Sequence, residues 1–160
     1  MELSDLRLEN VAAAHGPARL AVHVRIPSHA ARSGRRILLE PSAWWAHLEP
    51  EFGASQRRWP VEFPFSWTDR DSLRIRLPSG WKCETVAAPR PVGSPGLAQM
   101  VTELRAQQSG AVLEYRRTLE LGYDGQVVFP ASSYPALQKL FGLFLNADRT
   151  ATTLVPAGER

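Results

Sequence analysis

The sequence predicts a mainly β fold, an antiparallel β-sandwich of about seven or eight strands with one C-terminal α-helix. Three observations indicate this class. Apolar and polar residues alternate in several short segments, a pattern that turns one set of side chains to a core and the other to solvent. Thirteen Pro and eleven Gly separate these segments, as turns do in a sandwich. A helical spacing of apolar residues occurs once, near the C-terminus.

The N-terminal third contains the clearest alternation, from Leu20 to Ile26, where every second residue is apolar. Such a segment is typical of a strand with one face in a core. Residues 3–8 and 37–39 are predicted to form two further strands. A short irregular helical segment is expected around 44–52.

Two alternating segments follow, Val61 to Trp67 and Leu73 to Leu77. Pro64 lies on the outward-facing set of the first segment, and because proline cannot donate to a strand ladder, this segment is predicted at a sheet edge. The Asp69-Arg70-Asp71 step between the segments is typical of a tight hairpin loop, where Asp bonds the local backbone.

Three more strands are expected in the second half: Trp81 to Ala87, then, beyond a Pro- and Gly-rich loop, Ala98 to Arg105 and Ala111 to Leu121. The last of these places Arg117 on its apolar side. Buried charges are tolerated when they are paired, so a paired buried charge is favoured here over a ligand anchor.

The change to helical spacing predicts a helix over about 133–148. Ser132 or Ser133 is suited to cap it and Pro135 to occupy its first turn. A short extended tail follows at about 152–155. At 17.8 kDa the chain is too small for two ordinary domains, which favours a single domain over residues 1–160 with strands to about residue 129.

The composition argues against two classes of partner. The net charge is +3, and the basic residues, 17 of them Arg, are not interleaved with aromatic residues as in a stacking platform. Nucleic-acid binding is therefore not expected. No stretch approaches the roughly 18 apolar residues that would cross a bilayer, so the chain is not expected to span a membrane.

No pattern of catalytic or metal-binding residues stands out. Cys83 is the single cysteine; it lies in a strand pattern with all four His upstream, so a buried inert thiol is favoured over a nucleophile. His23 and His29, with Pro27 between them, lack the spacing of zinc ligands. Phosphate-binding loops and the nucleophile elbow are absent. We therefore expect no catalytic residue, no metal site and no cofactor.

The candidate interface residues are Trp and Arg side chains. Trp44 and Trp45 are adjacent and cannot both face one core in regular structure, so one of them is a candidate for an exposed contact. Arg57 and Arg58 join them, because Arg and Trp are enriched at interface hot spots. The other three Trp residues border strands and are expected in the core or at its rim.

The order of four motifs resembles a known family. Arg57-Arg58-Trp59-Pro60-Val61 is followed by Leu77-Pro78-Ser79-Gly80-Trp81, by Val127-Val128-Phe129-Pro130 and by Tyr134-Pro135-Ala136-Leu137. This sequence of motifs is similar to the C-terminal β-sandwich domain, of unknown function, that follows the transglutaminase-like domain in a group of large bacterial proteins. The similarity is strongest over residues 57–153.

The resemblance implies that catalysis belongs to the preceding domain, whose Cys, His and Asp occur in that order. No His follows Cys83, so no catalytic role carries over. The expected role is a non-catalytic accessory domain that mediates domain–domain or protein–protein contact. The implied partner is a transglutaminase-like domain, in cis or as a separate chain, and the implied location is the periplasm or envelope.

Two other functions remain open at this point. One is a stand-alone carbohydrate- or peptide-binding β-sandwich module, which would need an exposed aromatic strip. The other is an enzyme that uses Cys83, which would need a fast-reacting thiol.

Overall fold

A computed structural model describes residues 2–11, 16–42, 45, 52–122 and 124–158. Its strands are β1 Glu2–Glu9, β2 Arg19–Arg25, β3 Ala31–Ser33, β4 Arg36–Leu39, β5 Val61–Glu62, β6 Trp67–Arg76, β7 Trp81–Thr85, β8 Val92–Ser94, β9 Ala98–Gln107, β10 Val112–Leu121, β11 Val128–Phe129 and β12 Thr152–Pro156. The helix α1 spans Tyr134–Asp148, and two short 3₁₀ turns cover Gln108–Gly110 and Ala131–Ser133.

All strand pairs in the described structure are antiparallel, and two sheets have four strands each, in the orders β6-β10-β9-β8 and β3-β4-β12-β7. The pairs β1-β2 and β5-β11 form two smaller sheets. The mainly β class with a C-terminal helix is confirmed, but the strands outnumber the predicted seven or eight. The predicted tail, for example, is strand β12, which pairs with β4 on one side and β7 on the other.

The main core lies between α1 and the sheet that contains β9 and β10. The helix buries side chains at helical spacing, and the two strands bury alternate residues against it, as their two periodicities require. The buried cluster contains Leu137, Leu140 and Phe144 from α1, Ala98 and Met100 from β9, Leu119 and Leu121 from β10, and the aromatic residues Phe52, Phe63, Phe129 and Tyr134.

The predicted helix is confirmed in position. Ser133 precedes it and Pro135 lies in its first turn, where the missing N–H has no cost. Ser133 occupies the N-cap position, as predicted, but its side chain makes no capping hydrogen bond.

The hairpin loop predicted at residues 69–71 was also wrong. Strand β6 runs through this step, and its even-numbered residues are exposed while its odd-numbered residues are half-buried. Asp69 and Asp71 are tolerated on the half-buried side because each accepts a hydrogen bond from a tryptophan indole, Trp67 for Asp69 and Trp45 for Asp71. The segment predicted at Val61–Trp67 is divided instead into β5 and the start of β6, with Pro64 between them.

Two further expectations concern helices. The irregular helical segment expected around 44–52 lies outside them, apart from Trp45 and Phe52. Among the residues that are described, no helix is both long and apolar enough to cross a membrane.

Candidate functional site

A buried arginine joins three parts of the chain. Arg117 of β10 is 2% exposed, and its Nε and Nη2 donate to the two carboxylate oxygens of Asp148 at 2.8 and 3.0 Å. Its Nη1 reaches Asp71 Oδ2 at 3.4 Å. The Trp45 ring lies over the guanidinium, 4.6 Å from Cζ to the ring centroid, and its Nε1 donates to Asp71 at 2.9 Å. The prediction of a paired buried charge is confirmed.

Two ionisable groups in or beside this cluster have raised pKa values. Burial raises the pKa of Asp148, against the hydrogen bonds and positive charge of Arg117, which lower it. Burial also raises the pKa of Tyr115, whose hydrogen bond with Ser42 acts in the opposite direction. Because Asp148 ends α1 and Arg117 lies in the sheet, the cluster fixes the helix to β10.

An aromatic groove, as we name it, lies beside this cluster, with a cavity volume of about 510 Å³. One wall is a stripe of α1 with the spacing of one helical face, formed by Gln138, Phe141, Gly142, Leu145 and Asn146, and Arg149 follows directly after the helix. The sheet contributes Trp67 and Asp69 from β6 and Arg117 and Leu119 from β10, and Trp45 lines it as well. Aromatic and aliphatic side chains line it together with a few polar and charged ones, which is the usual composition of a binding site.

A second candidate surface is one face of the β1–β2 hairpin. Leu3 pairs with Val24 and Leu8 with Leu20, so each pair shares a face. Leu6 and Leu8 of β1 are two residues apart, as residues on one side of a strand are, but Leu3 and Leu6 are three residues apart. The register shift between Ser4 and Arg7, with Asp5 at φ 54°, compensates for this spacing, so that all the leucines of β1 lie on one side. We call this side the hairpin face: Leu3, Leu6 and Leu8 of β1 with Leu20, Val22 and Val24 of β2.

The hairpin face is largely exposed. Its four leucines are between 56% and 63% exposed, although Val22 and Val24 are half-buried. The opposite side of the hairpin is polar and carries the exposed ion pair between Arg25 and Glu2, at 3.8 Å. The prediction that the apolar set of residues 20–26 enters a core was therefore wrong for Leu20, because in the described structure β1 and β2 form a sheet of their own.

The four predicted interface residues have different surroundings. Trp44 lies outside the described residues. Trp45 is half-buried on Arg117 and lines the aromatic groove. Arg57 and Arg58 are exposed, and the guanidinium of Arg57 lies 6.0 Å from the centroid of the Tyr134 ring. The structure thus places Arg57 beside α1 and Trp45 in the groove.

Sequence reasoning missed two exposed aromatic residues. Trp59, expected in the core or at its rim, is 77% exposed, and Phe65 is 64% exposed. The Phe65 ring meets the Trp67 ring edge-on, with centroids 6.4 Å apart, so it extends the apolar surface at the start of β6. The flanking prolines Pro60 and Pro64 were the available signal, because proline interrupts the ladder that would bury these residues.

Cys83 is half-buried rather than buried. Its Sγ lies 3.2 Å from the Thr152 hydroxyl, across the β7–β12 pair, and 3.4 Å from the carbonyl oxygen of Thr85 in its own strand. A cavity of about 620 Å³ opens beside it, lined by basic side chains of β4 and β7 and their neighbours: Arg35, Arg36 and Lys82. Arg36 donates to Glu84 at 2.8 Å within this cavity. No group of three or more metal-ligating side chains occurs in the described part of the chain.

Comparison with known proteins places this architecture in a family. No curated protein sequence matches the chain. A solved structure described as a "putative protease" from Parabacteroides distasonis is similar, with a TM-score of 0.50 and 18% identity, which supports the fold alone. The similarity covers 71% of this chain and 20% of that one, so the present chain spans only a small part of that protein's length. Residues 35–154 match the model of DUF3858, a domain of unknown function with a solved structure, and the chain belongs to this family.

Proposed function

We propose that the chain is a non-catalytic accessory domain that contacts another protein domain through the hairpin face. The observation that carries this proposal is the exposure of four leucines on one side of a two-stranded sheet. A two-stranded hairpin is marginally stable in water by itself. Contiguous exposed apolar surface of this kind marks interaction sites.

Burial of the hairpin face would contribute free energy toward binding. Full burial of a leucine side chain contributes about 1.5–3 kcal/mol. Burial of the remaining exposed half of Leu3, Leu6, Leu8 and Leu20 would therefore supply several kcal/mol toward association. Lost translational and rotational freedom costs about 4–15 kcal/mol in any association, so further contacts around these leucines would have to add to this gain.

The proposed partner is a transglutaminase-like domain, in cis or as a separate chain, and the proposed location is the periplasm or envelope. The motif order over residues 57–153 supports both. The structural neighbour is a much larger protein than this chain, which agrees with a role as one domain among several.

The surroundings of the chain's reactive groups support a non-catalytic role. The two groups with raised pKa, Asp148 and Tyr115, belong to the buried cluster around Arg117, where they serve packing and charge pairing. The Cys83 thiol lies against the hydroxyl of Thr152 and the carbonyl of Thr85, as a structural cysteine does.

The test is isothermal titration calorimetry between this chain and a separately purified transglutaminase-like domain from the same organism. Leu8→Gln changes the hairpin face, and His23→Gln places the same side chain on the opposite face of the hairpin as a matched control. We expect Leu8→Gln to weaken binding at least tenfold and His23→Gln to change it less than twofold. Absence of binding by the unmodified chain, or equal effects of the two variants, would refute the proposal.

A further inference from the structure

In the described part of the chain, strand β6 is the terminal strand of its sheet, and its pairing with β10 shows which of its backbone groups point away from β10. The Leu77 N–H donates to the Ala111 carbonyl at 3.0 Å, in register with the pairing of Ile75 and Leu113. Hydrogen-bonded pairs alternate along an antiparallel ladder, so the odd-numbered residues of β6 bond to β10. On the other side of β10, the Gly122 N–H donates to the Leu97 carbonyl at 2.7 Å. Even-numbered residues of β10 therefore bond toward β9, while its odd-numbered residues bond toward β6.

The even-numbered residues of β6 therefore direct their N–H and C=O groups away from β10. These residues are Thr68, Arg70, Ser72, Arg74 and Arg76, and within the described residues no strand pairs with this edge. An edge ten residues long with free donors and acceptors is a template for an added strand.

Three of the five outward-facing side chains of this edge are positively charged. Arg70, Arg74 and Arg76 are exposed on the outward side of β6. On β10, Glu114 lies directly opposite Arg74, whereas Thr118 lies opposite Arg70 and Val112 opposite Arg76. An added strand with carboxylates on its outward side would place charges of opposite sign beside these arginines, a favourable cross-strand arrangement.

The inward side of the same edge favours apolar residues. Trp67 and Asp69 of β6 line the aromatic groove, and Phe141 and Leu145 of α1 form its far wall. Gly142 in that wall has no atom within 4 Å of the position that a Cβ would occupy, so an inserted side chain has room beside the helix. A strand added to β6 would direct every second side chain to this face.

We propose that the β6 edge binds an extended peptide segment with alternating apolar and acidic residues. The segment adds a fifth strand to the sheet and inserts its apolar side chains into the aromatic groove. In this mode main-chain hydrogen bonds supply affinity and the pockets for alternate side chains supply specificity. The proposal uses a different surface from the hairpin face and does not depend on docking there.

A peptide is favoured over a glycan because of the edge itself. Tryptophan and amide side chains would suit either ligand, but the row of backbone N–H and C=O groups on Thr68, Arg70 and Ser72 matches the repeat of another polypeptide strand. A sugar stacked on Trp45 or Trp67 would leave that row unused.

The first test is fluorescence titration with an acetylated nine-residue peptide that alternates Glu and Val, against the same peptide with Lys in place of Glu. We expect the acidic peptide to shift the tryptophan emission and to bind at least tenfold more tightly than the basic one. If both peptides bind equally or neither binds, the proposal fails. It also fails if oligomers of N-acetylglucosamine shift the emission and the acidic peptide does not.

Two variants then test the edge. Ser72→Pro removes one free N–H that points away from β10, and Ser72→Thr keeps it as the matched control. We expect at least a tenfold loss of affinity for Ser72→Pro and less than a twofold change for Ser72→Thr. Charge reversal by Arg70→Glu with Arg76→Glu provides a second test that does not alter the backbone, and should invert the preference between the two peptides. Unchanged affinity in Ser72→Pro, or an unchanged preference in the charge-reversed protein, would overturn the proposal.

Discussion

Replacing Arg117 with Met tests the buried cluster most directly. The change removes the guanidinium that holds both carboxylate oxygens of Asp148, a residue that is 4% exposed. It also removes the cation beneath the Trp45 ring. Removal of one partner from a buried ion pair typically costs about 3–5 kcal/mol, because the remaining charge has lost its compensation. We expect Arg117→Met to lower the free energy of unfolding by about that amount.

The double variant separates pairing from packing. Asp148→Leu alone leaves Arg117 with Asp71, whose side chain is 24% exposed, and should also be strongly destabilising. Apolar replacement of both partners is often close to neutral. The variant with both Arg117→Met and Asp148→Leu should therefore lie within about 1–2 kcal/mol of the unmodified protein, well above either single variant.

Urea unfolding followed by far-UV circular dichroism measures these differences without relying on Trp45 emission. Equal slopes of the free energy of unfolding against urea among the four proteins would show that the variants alter stability and not the extent of unfolding. Single variants that cost less than about 1 kcal/mol would mean that water screens the pair, as at an exposed ion pair. Additive effects in the double variant would mean that Arg117 and Asp148 act independently, which would refute the reasoning.

Three further predictions concern single positions. Burial raises the pKa of Tyr115 above its ordinary 10.0, so the folded state keeps the phenol proton to higher pH than the unfolded state does. Stability therefore falls as pH rises from about 10 through the folded pKa. Tyr115→Phe should reduce this loss of stability between about pH 9 and pH 11, as measured by urea unfolding. Gly142→Ala should raise the free energy of unfolding by about 0.5–1 kcal/mol, because its Cβ meets no atom within 4 Å and alanine favours the helix; a loss of stability would show that the groove wall is packed. Gly122→Ala should lower the free energy of unfolding by more than about 1 kcal/mol, because φ is +64° and the new Cβ would lie 3.0 Å from the Gln126 carbonyl oxygen. Thermal unfolding measures the change, and an unchanged or raised melting temperature would contradict the prediction.

The regular elements could be predicted because their signal is local. The period-two pattern gave strands close to β2, β9 and β10, and the change of period gave α1 close to its observed bounds. The hairpin loop at Asp69–Asp71 failed for a non-local reason. Two carboxylates two residues apart are typical of a turn. The partners that make Asp71 acceptable inside β6 are distant in sequence: Trp45 lies 26 positions away and Arg117 lies 46 positions away.

The candidate site was predictable only in part. Alternation shows that a strand has an apolar side, but it does not show whether another layer covers that side, so Leu20 of β2 looked like a core residue. The adjacency of Trp44 and Trp45 drew attention to Trp45, whereas its contact with Arg117 depends on the pairing of β6 with β10. The groove could not be predicted, because its walls come from parts of the chain as distant as Trp45 and Arg149.

The arginines of β6 can both prevent one association and favour another. An unprotected edge strand tends to pair with its own copy, and proteins commonly prevent this with charged side chains at the edge. Antiparallel pairing of two β6 edges would bring Arg70, Arg74 and Arg76 of one chain next to the same residues of the other, and like charges directly opposite are destabilising. An acidic strand would meet the same edge with the opposite sign of interaction. One row of positive charge would therefore both oppose self-association of this edge and favour an acidic partner strand.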